Sequence, residues 1–146
     1  MKVAIGADHG GFDLKQKVIE FLKSRSIEYE DFGTHSNDSC DYNDVAKAVG
    51  TAVSKKNADR GILICGTGVG MSIQANKIKG VRAALVHDLY TAKATRLHND
   101  SNVLTMGGRI IGDEVARAIV DVWLHTEFSN EPRHVRRVNK IENNNE

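Results

Sequence analysis

Gly61-Ile62-Leu63-Ile64-Cys65-Gly66-Thr67-Gly68-Val69-Gly70 is the stretch whose reading decides the fold. Its first half is continuously apolar, the mark of a central parallel strand covered on both faces. Its second half sets glycines at alternate positions, where the strand turns into a helix over about 70–78. Upstream, Val45, Val49 and Val53 stack at i, i+4, i+8 on a helix of about 42–56. Ile27 to Phe32 alternates apolar and charged residues, as an edge strand does. Phe12, Leu14, Val18, Phe21 and Leu22 mark a helix over about 11–25, and Val3-Ala4-Ile5 is the first strand. Downstream come a strand at Val81 to Val86, a helix over about 88–97 and a strand at Val103-Leu104-Thr105-Met106. Val115, Ile119, Val122 and Trp123 mark a helix of about 112–124. From Glu131 the chain is polar and adds one more helical piece, set off by Pro132; Glu142 to Glu146 reads as frayed. Five β-then-α units predict a three-layer α/β/α sandwich with a mostly parallel sheet. Residues 1–146 are expected to form one domain, with a C-terminal arm from about 131.

Composition narrows the partners. Twenty Lys and Arg face nineteen Asp and Glu, a formal charge of +1, so no global field draws nucleic acid or an anionic membrane. No apolar run approaches the roughly 20 residues of a membrane span. The N-terminal apolar run is too short for a signal-peptide core, and the two cysteines, Cys40 and Cys65, form no disulfide framework. A reduced, cytoplasmic protein is expected.

Ligands of open α/β sheets bind outside the carboxyl ends of the strands. That rule selects Gly6-Ala7-Asp8-His9-Gly10-Gly11, Cys65 to Gly70, and Gly107-Gly108-Arg109. Glycines let the backbone approach a ligand, and successive N–H groups at a helix start suit a phosphate or a developing oxyanion. The spacing is G-x-G-x-G rather than the dinucleotide G-x-G-x-x-G, and Gly70-Met71-Ser72 lacks the lysine of a Walker loop. No arginine closes a cysteine-phosphatase cradle there. A purely structural turn stays open. Cys65 is either a small core residue or, at a helix start, a thiolate nucleophile or base. Asp8 and His9 suit sugar hydroxyls and a phosphate, or Asp8 merely caps a helix. His98-Asn99-Asp100 closes the fourth helix, where a histidine can be a dipole partner only. Arg133, Arg136 and Arg137 in isolation read as a solvated face. His35, His87 and His125 show no metal spacing, so no metal is expected.

Taken together, these motifs resemble the ribose-5-phosphate isomerase B family with its galactose- and allose-6-phosphate isomerase relatives. The resemblance runs from about Lys2 to Ile141. It is carried by Gly6 to Gly11, Asp41-Tyr42, Gly61 to Ile73, Ala75-Asn76-Lys77, Gly80-Val81-Arg82-Ala83, His98-Asn99-Asp100, Gly108-Arg109 and Arg133-His134. It implies a five-stranded parallel sandwich in the order 2-1-3-5-4. It implies Cys65 as the base moving a proton between C1 and C2, with Gly66, Thr67, Gly68, Val69 and Gly70 as the anion hole and Thr67 adding a hydroxyl. His98 would open the furanose ring, and Asp8, His9 and Asn99 would contact substrate. Arg109, Arg133 and Arg137 would hold the phosphate. No cofactor is implied, since the substrate carbonyl is itself the electron sink. The stretch Asp41-Tyr42-Asn43-Asp44-Val45 departs from the D-Y-P-x-Y pattern of the family, so Asp41 and Tyr42 receive no role.

The expected activity is interconversion of ribose 5-phosphate and ribulose 5-phosphate. The alternatives are a hexose 6-phosphate isomerase and a sugar-phosphate-binding module without turnover. Residues following strands lie at the carboxyl edge, whereas His98 and Asn99 follow a helix and lie at the opposite edge. A five-residue strand spans roughly 17 Å, too far for a side chain to cross. A homodimer, or a tetramer, with sites shared between subunits is therefore expected.

Overall fold

The computed structural model of the chain describes residues 1–144. In chain order the elements are β1 (Lys2–Ala7), α1 (Phe12–Ser24), β2 (Glu28–Asp31), α2 (Tyr42–Ser54), β3 (Arg60–Cys65) and α3 (Val69–Ala75). There follow β4 (Ala83–Leu85), α4 (Leu89–Asn99), β5 (Val103–Gly107), α5 (Asp113–His125) and α6 (Pro132–Glu142). The strands form one parallel sheet in the order β2-β1-β3-β5-β4, the order the resemblance implied.

Alternation along the strands builds two cores. Val3, Ile5, Ala7, Ile62, Ile64, Leu104 and Met106 face a layer of α1, α4 and α5, around the fully buried Trp123. Ala4, Leu63, Cys65 and Val103 face α2 and α3, packed against Val49, Val53, Met71 and Ala75. With helices on both faces, the inner strands read as continuous apolar runs. Cys65 thus belongs to the α2–α3 side and is 5% exposed.

Register fixes which residues share an edge. Gly61 pairs with Val103 and Cys65 with Gly107. The turns after β1, β3 and β5 therefore meet at the carboxyl edge, and the Asp100–Asn102 connection lies at the opposite one. Lys15, fully buried on α1, donates to both carboxylate oxygens of Asp31 at 2.7 and 2.9 Å and to the Thr34 carbonyl. That pair holds the segment after β2 beside the end of β1, where Ala7 N–H donates to Gly33 O at 2.7 Å.

α3, β4, α4 and the C-terminal end of α6 differ from their expected bounds. α3 ends at Ala75 rather than near residue 78, because the Asn76 side chain bonds both the N–H and the carbonyl of Ala83 and turns the chain. β4 keeps only Ala83–Leu85 of the expected Val81–Val86; the Arg82 N–H is taken by the Asn102 side chain instead. α4 continues through His98 to Asn99 and stops at Asp100, which adopts φ 46°. Glu142 is still helical in α6, and Asn145 and Glu146, the end of the expected frayed tail, lie outside the described residues. Among the described residues no helix is long and apolar enough to cross a membrane.

Candidate active site

The carboxyl-edge loops are built by backbone. After β1, Asp8 is buried, and its Oδ1 accepts the N–H groups of Gly10 at 2.8 Å and Gly11 at 3.1 Å. Asp8 is therefore not the cap of α1, whose N-cap is Gly11 without a side-chain bond; one of its oxygens instead closes the turn that precedes the helix. Among the described residues no group donates to Oδ2. His9 Nδ1 accepts the Cys40 N–H at 3.3 Å, which puts the proton of a neutral ring on Nε2.

After β3, the Gly68 N–H donates to Cys65 Sγ at 3.1 Å, and the Val69 N–H donates to Thr67 Oγ1 at 3.3 Å. Gly68 has φ 78°, and a Cβ there would meet the Met106 carbonyl carbon at 2.8 Å, so only glycine fits. Two of the donors expected in the anion hole are therefore engaged within the loop. The N–H groups of Thr67, Gly70 and Met71 have no protein acceptor among the described residues; Gly70 and Met71 lie in the first turn of α3, whose donors have no partner within the helix.

The loop after β5 closes on the other two. Gly108 N–H donates to Cys65 O at 2.8 Å and Arg109 N–H to Gly66 O at 3.0 Å. A Cβ on Gly66 would stand 3.0 Å from Arg109 Nη1, so this guanidinium lies over the loop. Asp8, His9, Cys65 to Gly70 and Arg109 are thus one cluster.

The remaining predicted residues form a second cluster at the far edge. α4 starts beside the carboxyl edge, where Asp88 caps it through Thr91 N–H at 2.7 Å. Its eleven residues carry the chain about 16 Å away. His98 and Asn99 in its last turn join Arg133, His134 and Arg137 of α6 around a cavity of about 400 Å³. The His98 and His134 rings lie 4.7 Å apart, tilted by 44°. Arg133 Nε also rests on Glu131 at 2.9 Å, both largely exposed. Such a pair is weak and can yield to a stronger anion. The two clusters do not meet within one chain.

Several neighbours of these residues received no role in the reading of the sequence. His134 is 5% exposed and bonds Ser129 Oγ at 2.7 Å; desolvation, then Arg133, holds its pKa below the ordinary histidine value. The signal was present, since His134 and Val138 form the buried i, i+4 face of an otherwise polar helix. His87 Nε2 accepts the Gly107 N–H at 2.9 Å, and desolvation lowers its pKa too. Tyr42 lies against Gly70, where a Cβ would stand 2.7 Å from the phenol ring. Only folding brings those two together. Among the described residues no three His, Cys, Asp or Glu side chains converge as a metal site.

Comparison with known proteins agrees on the class. The chain matches the family described as Ribose/Galactose Isomerase over residues 3–141. It is 48% identical over 129 residues to ribose-5-P isomerase B of Listeria innocua, covering 88% of this chain and 87% of that protein. It is 46% identical over 140 residues to ribose-5-phosphate isomerase B of Escherichia coli, covering 96% and 93%. Its fold is similar to that of ribose-5-phosphate isomerase B from Clostridium thermocellum, with a TM-score of 0.97 at 50% identity, covering 99% and 97%.

Proposed function

The chain belongs to the ribose/galactose isomerase family, and we propose that it is an isomerase interconverting ribose 5-phosphate and ribulose 5-phosphate through an enediolate, with Cys65 as the base. The observation that carries this reading is the loop after β3. A buried sulfur accepts one N–H there, while the N–H groups of Thr67, Gly70 and Met71 stay unspent beside it. A thiolate accepts such a donor, and an enediolate oxygen accepts the others.

In the proposed reaction His98 moves the proton that opens the furanose ring. The Cys65 thiolate then takes the C2 proton. The electron pair forms the C1–C2 double bond and displaces the carbonyl electrons onto O1, which the loop donors stabilise. Thr67 assists with its hydroxyl. The thiol returns its proton to C1, and the proton on O2 passes to O1 as the C2 carbonyl forms, giving the ketose. Asp8 Oδ2 and His9 Nε2 face sugar hydroxyls, and Asn99 steadies the open chain. Arg109, Arg133 and Arg137 hold the phosphate by charge-assisted bonds.

The site needs both clusters, so the functional unit is a dimer in which the far edge of one subunit meets the carboxyl edge of its partner. Exposed apolar side chains support that surface: Val69, Ile73, Leu85, Leu89 and Tyr90 flank the carboxyl edge, and Tyr90 is 80% exposed. The test is ribose 5-phosphate in deuterated water, followed by NMR beside allose and galactose 6-phosphates. Exchange at C2 with formation of ribulose 5-phosphate is expected. Binding without exchange would leave a sugar-phosphate-binding module, and faster turnover of a hexose phosphate would move the substrate to the hexose class.

A further inference from the structure

We propose that Arg82 is a positioning residue that ties the His98–Asn99 turn to helix α6 and so fixes the spacing between the ring-opening and phosphate-holding groups. The inference rests on the roles proposed above for His98, Arg133 and Arg137.

Arg82 stands directly before β4, outside the cavity that His98 lines. Its backbone is held first, with its N–H on Asn102 Oδ1 at 2.8 Å and its carbonyl accepting the Asn102 N–H at 3.1 Å. Its guanidinium then uses all three nitrogens on two other elements. Nε donates to the Asp100 carbonyl at 2.9 Å and Nη2 to Asp100 Oδ2 at 3.2 Å. Nη1 donates to Glu142 Oε1 in the last turn of α6. From the other side, the fully buried Arg96 donates from Nη1 to Asp100 Oδ1 at 2.8 Å. Asp100 is the left-handed cap directly after His98 and Asn99, and two guanidinium groups bracket its carboxylate.

This arrangement argues against Arg82 as one more phosphate ligand, because Asp100 and Glu142 already answer its charge. The Arg82 side chain is 17% exposed, so the pairs are better shielded than surface ones. One planar fork reaches both ends of the second cluster; a lysine ammonium on the same stem cannot serve all three acceptors. Through Asp100 the fork sets the last turn of α4, and through Glu142 it sets α6. Those are the two helices whose His98 and His134 rings stand 4.7 Å apart.

The experiment compares Arg82→Lys and Glu142→Gln with the unaltered chain by imidazole NMR and steady-state kinetics. In both variants the His98 and His134 signals should shift while those of His9, on the other cluster, stay in place. Kinetically, Arg82→Lys should lower kcat about tenfold and raise KM, since small misplacements at a reacting centre are costly. Glu142→Gln should raise KM about threefold with kcat kept, because it loosens only the phosphate-bearing helix. Should Arg82→Lys fail to fold, the partly exposed Glu142→Gln still decides. Unmoved His98 and His134 signals, or a His9 shift as large as theirs, would overturn the proposal. An unaltered chain that does not isomerise would overturn the functional reading, yet the histidine signals would still decide on Arg82.

Discussion

At the carboxyl edge the backbone does the holding: Gly68 N–H on the Cys65 sulfur, Gly108 N–H on the Cys65 carbonyl, Arg109 N–H on Gly66. At the far edge charged side chains do it, with Arg82 and Arg96 on Asp100 and Glu142 on Arg82. The difference follows from where each cluster sits. Loops after parallel strands converge and can lock through main-chain groups. The last turn of a helix leaves its own carbonyls unpaired and offers no such lattice, so long side chains must brace it. A side chain lost from the first cluster should leave its neighbours in place; one lost from the second should disturb the rest.

The most severe test strikes the first cluster. Cys65→Ala should cut isomerisation by about 10³-fold or more, in the range of general acid–base groups, while sugar-phosphate binding persists. Cys65→Ser should fail as well, since a hydroxyl supplies no base at neutral pH. Full activity in the serine variant, measured by ribulose 5-phosphate formation, would break the thiolate assignment.

The next asks whether the two clusters work across subunits. Cys65→Ala and His98→Ala chains, each inactive alone, should regain activity when mixed and allowed to exchange, to about half the unaltered level per heterodimer. Demonstrated exchange without regained activity would return both residues to one chain's site.

Smaller effects fall on the clamp. Lysine at Arg109, Arg133 or Arg137 should raise KM about tenfold with a lesser loss in kcat, because a point charge replaces a fork. Three variants with unaltered KM would remove these arginines from the phosphate.

The smallest effect is on stability, and each cluster has its own histidine. His87 and His134 both have pKa values lowered from 6.5. The unfolded chain therefore takes up protons that the folded one resists. The stability they contribute is full above about pH 6.5 and is lost as pH falls through their folded values. Thermal unfolding should shift down by a few degrees between about pH 7.5 and 5.5. His87→Gln and His134→Asn should each flatten part of that slope, and a flat profile in the unaltered chain would exclude both as sensors.

Much of the fold was legible in the chain. The apolar run Gly61 to Cys65 and the helical period of Val45, Val49 and Val53 report burial directly, residue by residue. The ends of α3 and β4 were not legible, because Asn76 and Asn102 intervene through hydrogen bonds to residues 7 and 20 positions away. The candidate residues Asp8, Cys65 and His98 stood out by type and by position at element ends. Tyr42 on Gly70, Cys40 on His9 and His134 beside His98 did not, since pairs so far apart in sequence leave no periodic trace.

What the sequence determined by itself was the succession of strands and helices along the chain, the edge on which each candidate side chain falls, and hence the separation of the candidate residues into two clusters. Those follow from periodicity and chain direction, which are local properties. Tertiary structure alone decided which donors of the loop after β3 remain free, which oxygen of Asp8 is spent, and how Arg82 spans α4 and α6. Those depend on distances of a few ångströms between segments that meet only when the layers pack.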